Sequence, residues 1–493
     1  VAPRSSSAAV LPAAQRSLLR CRVLLLQCPN MLHRIVYYFI LLLREARKAV
    51  HLSGTMEIRD GRLYVGGCDS VLLAARFGTP LIVYDEALIR DNIRRFHQAF
   101  RRQRVAYTVA YAAKAFCTLA MCQLAWEEGC ALDVVSGGEL YTALTAGVPA
   151  ERIHMHGNNK TPAELEFALD SGVGVIVVDN FHELQVLDKM ARDKGQVAQI
   201  LLRISPGVEA HTHDYIMTGQ QDSKFGFDLA SGQAAEALRT AARLSAVKCI
   251  GLHSHIGSQV FESGGFIAAA ERLAALYRVG LDLGLPFSVL NLGGGFGIRY
   301  TEADPGLDVD GLLADLVQAV RRQFADLDRL PEIWVEPGRS IVGQAGVTLY
   351  TVGSAKVIPG VRSYVAVDGG MTDNPRYALY GAQYEALLAN RASEPADGVW
   401  TIAGKCCESG DLLTRDTPLP QPRSGDILAV LATGAYNYSM ASHYNRLPNP
   451  AVVFAKDGEA TLVVERETWQ DVLRLDRPLR SAPQPAGAGR ERV

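Results

Sequence analysis

No aspartate or glutamate occurs before Glu45, although Arg4, Arg16, Arg20, Arg22, Arg34 and Arg44 are spread along that segment. An Arg-rich, Ser-containing, acid-poor leader is how an organelle transit peptide reads. The segment also reads as upstream sequence translated ahead of a start at Met56, where a strand pattern opens (Met-Glu-Ile-Arg-Asp-Gly-Arg-Leu-Tyr-Val). The second reading is preferred, so residues 1–55 are expected to be an extension that is disordered or not native. A cytoplasmic location is expected, with organelle targeting left open. The apolar stretch Ile35 to Leu43 falls far short of the ~20 residues needed to span a bilayer. Charge of one sign is not in excess, with 50 basic against 52 acidic side chains, which argues against nucleic-acid and membrane-surface partners. The nine cysteines are scattered, with Cys406 and Cys407 adjacent. No spacing matches a zinc ribbon or a secreted disulfide framework, so a reducing compartment is expected.

Short apolar runs alternate with helical patterns between about residues 105 and 340. The runs are Val105–Ala113, Ala131–Val135, Ile153–Met155, Val173–Val178, Gln199–Ile204, Val247–Leu252, Val289–Leu292 and Ile333–Val335. Amphipathic stretches such as Ala163–Leu169, Glu183–Ala191, Ala268–Leu281 and Leu312–Phe324 lie between them, with apolar residues every three or four positions. Eight such units predict a (β/α)8 barrel, with an open doubly wound sheet as the competitor. After Ser340 the runs become short, β-rich and separated by Gly, Pro and Asp turns, which predicts an antiparallel β-sandwich or barrel domain. The expected organisation is an extension over 1–55, N-terminal strands joining the β domain over 56–85, the barrel over 86–340, the β domain over 341–476 and a disordered tail over 477–493.

Lys114 closes the first run, and desolvation there is expected to lower its pKa and free a nucleophilic amine; a lysine that snorkels to the surface is the plain alternative. In such barrels the functional groups sit at the C-terminal strand ends. Those ends carry Lys114, Asp133 to Ser136, His156, Asp179, Arg203 with Ser205, His253 and His255, Gly293-Gly294-Gly295, and Glu336-Pro337-Gly338-Arg339. The triple glycine exposes backbone N–H groups suited to a phosphate, and it lacks the third glycine of a dinucleotide fingerprint. Ser258 can add a hydroxyl, and Arg339 can add charge there or meet a substrate carboxylate. Glu336 suits a pyridine nitrogen that must stay protonated, or else it is a barrel-end carboxylate paired with an arginine. His253 with His255 and His211 with His213 form His-x-His pairs. No Glu or Cys with ligand spacing accompanies either pair, so no metal is expected. Cys407 sits in a turn beside Glu408 and can serve as a proton donor, while Cys406 better fits a buried small residue. Gly434-Ala-Tyr436-Asn-Tyr438 places two phenols on one loop.

Together these motifs resemble the fold-III pyridoxal-phosphate decarboxylase family, and within it the branch that acts on meso-2,6-diaminopimelate. The matching stretches are Tyr111-Ala-Ala-Lys-Ala, His156-Gly-Asn-Asn-Lys160, Gly251-Leu-His-Ser-His-Ile-Gly-Ser-Gln259, Asn291-Leu-Gly-Gly-Gly-Phe-Gly297, Glu336-Pro-Gly-Arg339, Asn374-Pro-Arg-Tyr377, Cys407-Glu-Ser-Gly-Asp411 and Thr433-Gly-Ala-Tyr436. The likeness runs from about Met56 to Asp471. It implies that the cofactor is pyridoxal 5'-phosphate, held by Lys114 as a Schiff base, with His255 stacked on its ring and Glu336 at the ring nitrogen. Ser258, Gly293, Gly294, Gly295 and Arg339 would hold the phosphate end, with Pro337 and Gly338 beside them. Cys407, the proton donor, and Glu408, at the distal amine, would come from the partner of a homodimer with shared sites. Arg339, Arg376 and Tyr380 would meet the distal carboxylate, and Tyr436 both cofactor and substrate. The segment Val208–Phe227 would be a loop over the site. The implied reaction yields L-lysine and CO2. An ornithine- or arginine-type decarboxylase, an alanine racemase and an inactive regulatory relative are the rivals. Glu408, Asn374-Pro-Arg376 and the intact set Lys114, His255, Glu336 and Cys407 argue against them.

Overall fold

The computed structural model describes residues 50–208 and 223–479. The pair His211 and His213, most of the segment 208–227, and the leader and tail beyond those bounds lie outside the described residues.

Three short strands, β1 (Glu57–Arg59), β2 (Arg62–Val65) and β3 (Cys68–Asp69), form a sheet of their own. Only β4 (Leu81–Asp85) enters the larger C-terminal sheet, unlike the joint entry expected for the whole 56–85 segment. The reason is that β1 and β3 occupy both edges of β2. The small sheet docks instead by side chains, with Leu63 and Val65 buried among Leu81, Val83, Val347 and Val453, and by isolated backbone bonds such as Leu63 N–H to Ala389 O at 2.9 Å.

The barrel strands follow: β5 (Tyr107–Ala112), β6 (Ala131–Val134), β7 (Ile153–Met155), β8 (Val175–Val178), β9 (Ala198–Ser205), a two-residue β10 (Phe227–Asp228), β11 (Val247–Ser254), β12 (Val289–Asn291) and β13 (Glu332–Val335). All neighbours pair in parallel, and β13–β5 and β8–β9 pairing closes an eight-stranded barrel with β10 appended to β9. Parallel strands covered on both faces must be apolar throughout, which is why each was visible as a near-continuous run. Along β8 to β13, Val175, Val177, Leu201, Ile250, Val289 and Trp334 form one cluster while their chain neighbours join the main core. Strand alternation makes the first set the barrel interior and the second the layer under the helices. Several of the helices that follow a barrel strand start on a capping side chain. Ser136, Thr161 and Asn180 each accept a backbone N–H of the first turn, and Thr161 forms a capping box with Glu164 beside Pro162.

The second sheet contains β14 (Gly346–Ile358), β15 (Arg362–Val367), β16 (Ala386–Leu388), β17 (Gly398–Ala403), β18 (Leu412–Leu419), β19 (Ile427–Val430), β20 (Ala451–Lys456) and β21 (Glu459–Val464), together with β4. It is mixed rather than antiparallel, because β4 pairs in parallel with β20 and β15 with β17. A parallel pair requires a long crossover. For β4 and β20 that crossover is the entire barrel and most of the sheet itself, a connection that periodicity cannot reveal. No helix among the described residues is long and apolar enough to cross a membrane.

Candidate active site

The strand ends converge on a cavity of about 510 Å³, lined among others by Lys114, His156, Arg203, His253, His255, Ser258, Gly295, Glu336, Gly338, Arg339, Arg376, Tyr380 and Tyr436. Lys114 follows β5 in a single turn of 3-10 helix and opens into this space with 43% of its side chain accessible. Its charge differs from the expectation. Burial pulls the ammonium's pKa down, but Asp133, the Tyr436 phenol and Glu336 outweigh it, and the net shift is upward. Asp133 Oδ2, on the adjacent strand β6, lies 3.7 Å from Lys114 Nζ. Argued from a single residue, desolvation misses this carboxylate.

Glu336 is buried behind β13 with three partners. Asn291 Nδ2 donates to Oε1 at 2.6 Å, His253 Nε2 lies 3.1 Å from Oε2, and His156 Nε2 lies 3.1 Å from Oε1. No arginine pairs with it among the described residues. Burial alone would raise this carboxyl, but the two imidazoles outweigh it and hold it well below the usual carboxylate range. Burial pushes His253 down to about 4, so its imidazole is neutral and donates through Nε2. His156, His253 and Glu336 also bring three metal-type ligand atoms within 4.8 Å of one another. His253 and His255 both border the cavity: His253 faces Glu336, while β11 ends at Ser254 and His255 Nδ1 meets the glycine loop.

The glycine run behaves differently from its reading. Gly293 N–H donates to Asn291 Oδ1 at 2.9 Å, and Gly294 N–H donates to His255 Nδ1 at 3.2 Å. Of the three glycines, Gly295 borders the cavity, next to Gly257 and Ser258. A side chain at 294 would strike Glu336 O at 2.1 Å and one at 295 would strike Gly257 O at 2.3 Å, so the run is demanded by backbone packing as well as by any ligand. The Gly294 bond makes Nδ1 of His255 an acceptor, and burial holds this imidazole well below its ordinary pKa, hence neutral. Pro337 O accepts the Ala112 N–H at 3.2 Å, which ties β5 to the Glu336 turn.

Arg339 and Arg376 are 7% and 4% exposed, and neither has a carboxylate partner among the described residues. Arg339 Nη2 donates to Ser258 Oγ at 3.0 Å, and its Nε is buried without a partner. Tyr436 sits under Arg339, with the guanidinium carbon 4.7 Å from the ring centre, in a left-handed backbone conformation (φ 61°) that marks local strain. Tyr300 and Tyr384, which the sequence did not single out, donate no charge but receive hydrogen bonds from these arginines.

Cys407 and Glu408 are exposed and border no part of this cavity. Their turn is nonetheless fixed: Asn445 Oδ1 accepts the Cys407 N–H at 2.7 Å, and Asp411 Oδ2 accepts the Cys406 N–H at 2.7 Å. Cys406 is half-buried, and burial together with Asp411 pushes its thiol up to about 12.

Residues 87–343 match the family model described as pyridoxal-dependent decarboxylase, pyridoxal binding domain. The chain is 57% identical over 429 residues to the diaminopimelate decarboxylase of Halalkalibacterium halodurans, covering 86% of this chain and 98% of that protein. The chain belongs to the diaminopimelate decarboxylase family. The family member of Bacillus subtilis is 55% identical, covering 87% of this chain and 99% of its own. Among solved members, the M. jannaschii enzyme in complex with L-lysine superposes with a TM-score of 0.81 at 35% identity, over 87% of this chain and 99% of that one. A lysine/ornithine decarboxylase from Vibrio vulnificus, at 23% identity and a TM-score of 0.66, shares the fold.

The residues present fit the family's cofactor. An ionised Glu336 faces the cavity to meet a protonated ring nitrogen, and a neutral His255 offers a ring face. Ser258 with Gly295 and Arg339 would cradle an anion, and Lys114 would supply the amine.

Proposed function

We propose that this chain catalyses the pyridoxal-phosphate-dependent decarboxylation of meso-2,6-diaminopimelate to L-lysine and CO2, the step that completes lysine biosynthesis. One observation carries the substrate choice: two buried arginines, Arg339 and Arg376, line the cavity with no carboxylate against them among the described residues. Buried cations without counter-ions cost several kcal/mol each, so a ligand anion is required. A cofactor phosphate satisfies one, and the second calls for a substrate with a carboxylate at its far end, which ornithine lacks.

The cofactor, when bound, supplies the electron sink for the bond that loses CO2. Lys114 holds it through its amine, with Asp133 on the adjacent strand as the nearest carboxylate. Glu336 keeps a proton at the ring nitrogen, and His253, His156 and Asn291 keep Glu336 ionised and aimed. His255 packs on the ring face. Ser258, Gly295 and Arg339 take the phosphate end, with Gly293, Gly294, Pro337 and Gly338 holding that loop in shape. Arg376 and Tyr380 take the distal carboxylate, and Tyr436 reaches cofactor and substrate. Cys407 and Glu408 serve the site of a neighbouring subunit, Cys407 returning a proton to the reacting carbon and Glu408 accepting the distal ammonium. The exposed, pre-ordered turn that carries them supports this assignment. The working protein is a cytoplasmic homodimer with no nucleic-acid partner. Purified protein supplied with cofactor and meso-diaminopimelate should release CO2 and L-lysine in equal amounts. Comparable kcat/KM on ornithine would overturn the substrate assignment.

A further inference from the structure

Tyr300 lies beyond the glycine loop, five residues after Gly295, and is 9% exposed. Its hydroxyl oxygen accepts a hydrogen bond from Nη1 of Arg339 and, at 2.6 Å, from Nη1 of Arg376. Both guanidinium carbons also stand over its ring, at 5.8 and 5.0 Å from the centre. A second phenol braces the arrangement. Tyr384 packs edge-on against Tyr300 at 5.5 Å and 88°, and its hydroxyl accepts from Arg376 Nη1 at 3.1 Å and from Asn437 Nδ2 at 3.4 Å.

Two guanidiniums brought to one point repel each other, and burial strengthens that repulsion. A shared oxygen acceptor and the negative face of one ring offset it without introducing a carboxylate that would compete with a ligand. The inward Nη1 of each arginine is thereby spent on Tyr300. The remaining edges keep capacity for an anion, including Arg339 Nε, which is buried and unpartnered. Neither guanidinium can turn without breaking a bond to the phenol that also holds the other.

We propose that Tyr300 is a positioning residue that locks Arg339 and Arg376 into a single clamp, and that this clamp sets the preference for amino acids carrying a far-end carboxylate. The proposal rests on the decarboxylase reading and deepens it. Arg339, tied to Ser258 on one side and Tyr300 on the other, links the cofactor's phosphate end to the substrate's distal end.

The test is Tyr300→Phe in the full-length, cofactor-loaded protein, which removes one oxygen and keeps the ring. KM for meso-diaminopimelate and the calorimetric Kd for L-lysine should each rise ~10-fold while kcat stays within ~3-fold, the signature of lost uniform binding. Cadaverine, the same carbon chain without a carboxylate, should bind as it does to the parent. A double-mutant cycle with Arg376→Lys should show coupling of ~10-fold in lysine binding. Unchanged lysine affinity, equal losses for lysine and cadaverine, or strict additivity in the cycle would each overturn the clamp. If Tyr300→Phe fails to fold, Tyr384→Phe removes only the bracing oxygen. Lysine Kd should then rise by ~3-fold with cadaverine unaffected, and no change there counts against the proposal equally. Should the parent lack turnover of meso-diaminopimelate, the substrate reading falls, while the lysine-binding cycle still decides the clamp.

Discussion

Lys114 opens into the cavity, whereas Cys407 stands exposed on a fixed turn outside it. If each site takes its lysine from one subunit and its thiol from the other, inactive Lys114→Ala and inactive Cys407→Ala proteins should complement one another. Equal amounts mixed and allowed to exchange subunits at random give half mixed dimers. In each mixed dimer one site carries both defects and the other carries neither. One site in four is then intact across the mixture, so activity should recover to about a quarter of the wild-type value. Neither substitution removes a packed core group, because Cys407 is exposed and the Lys114 side chain opens into the cavity, so both variants should fold. The assay is CO2 release before and after exchange, with unexchanged mixtures as the control. Were both residues to serve one site from one chain, every site would keep a defect. Mixing would then restore nothing above the residual rates, and the shared-site assignment would have to be abandoned.

Lys114→Ala should also remove the absorption band near ~420 nm that a lysine-bound cofactor gives, and turnover with it; a normal spectrum in the variant would refute its role. Glu336→Gln keeps the shape and the Asn291 contact but not the charge, and kcat should fall ~100-fold or more with little change in lysine Kd. Arg376→Ala should cut kcat/KM for meso-diaminopimelate by at least ~30-fold, as expected for a lost charged hydrogen bond of ~2–4 kcal/mol. Asp373 offers a pH test: burial, against the hydrogen bond from Tyr350, pushes its carboxyl up to about 7. The folded state then binds a proton that the unfolded chain has released above ~4, so stability from this group falls as pH rises from ~4 to ~7. Asp373→Asn should flatten that part of the profile in denaturant titrations, and an unchanged slope would exclude Asp373 as its source.

The barrel was legible because doubly covered parallel strands are apolar runs, and its chemistry because polar groups end those runs at regular intervals. Tyr300 and Tyr384 were not legible. One follows the glycine loop and the other lies just ahead of β16, and nothing local marks either as a partner of Arg376. The charge on Lys114 was misjudged because Asp133 is a neighbour across strands, not along the chain. At Gly293 and Gly294 the missing side chains were evident, but the destination of their N–H groups depends on Asn291 and His255. The parallel pairs of the second sheet escaped detection because alternation along a strand carries no information about the direction of its neighbour.

The place of β4 in that sheet bears on how the chain is made. Its parallel partner β20 begins with Ala451 opposite Leu81, so the ribosome releases β4 long before its partner exists. Closing so long a loop costs little more entropy than closing one of half the length, but it delays the reward. A nascent chain that has completed the barrel still carries an unpaired β4, apolar from Leu81 to Val83 and buried at every position in the finished protein. Expression of the N-terminal part without β14 and β20 should therefore yield a fragment prone to edge-to-edge association, and the two lobes are bound to mature as one cooperative unit.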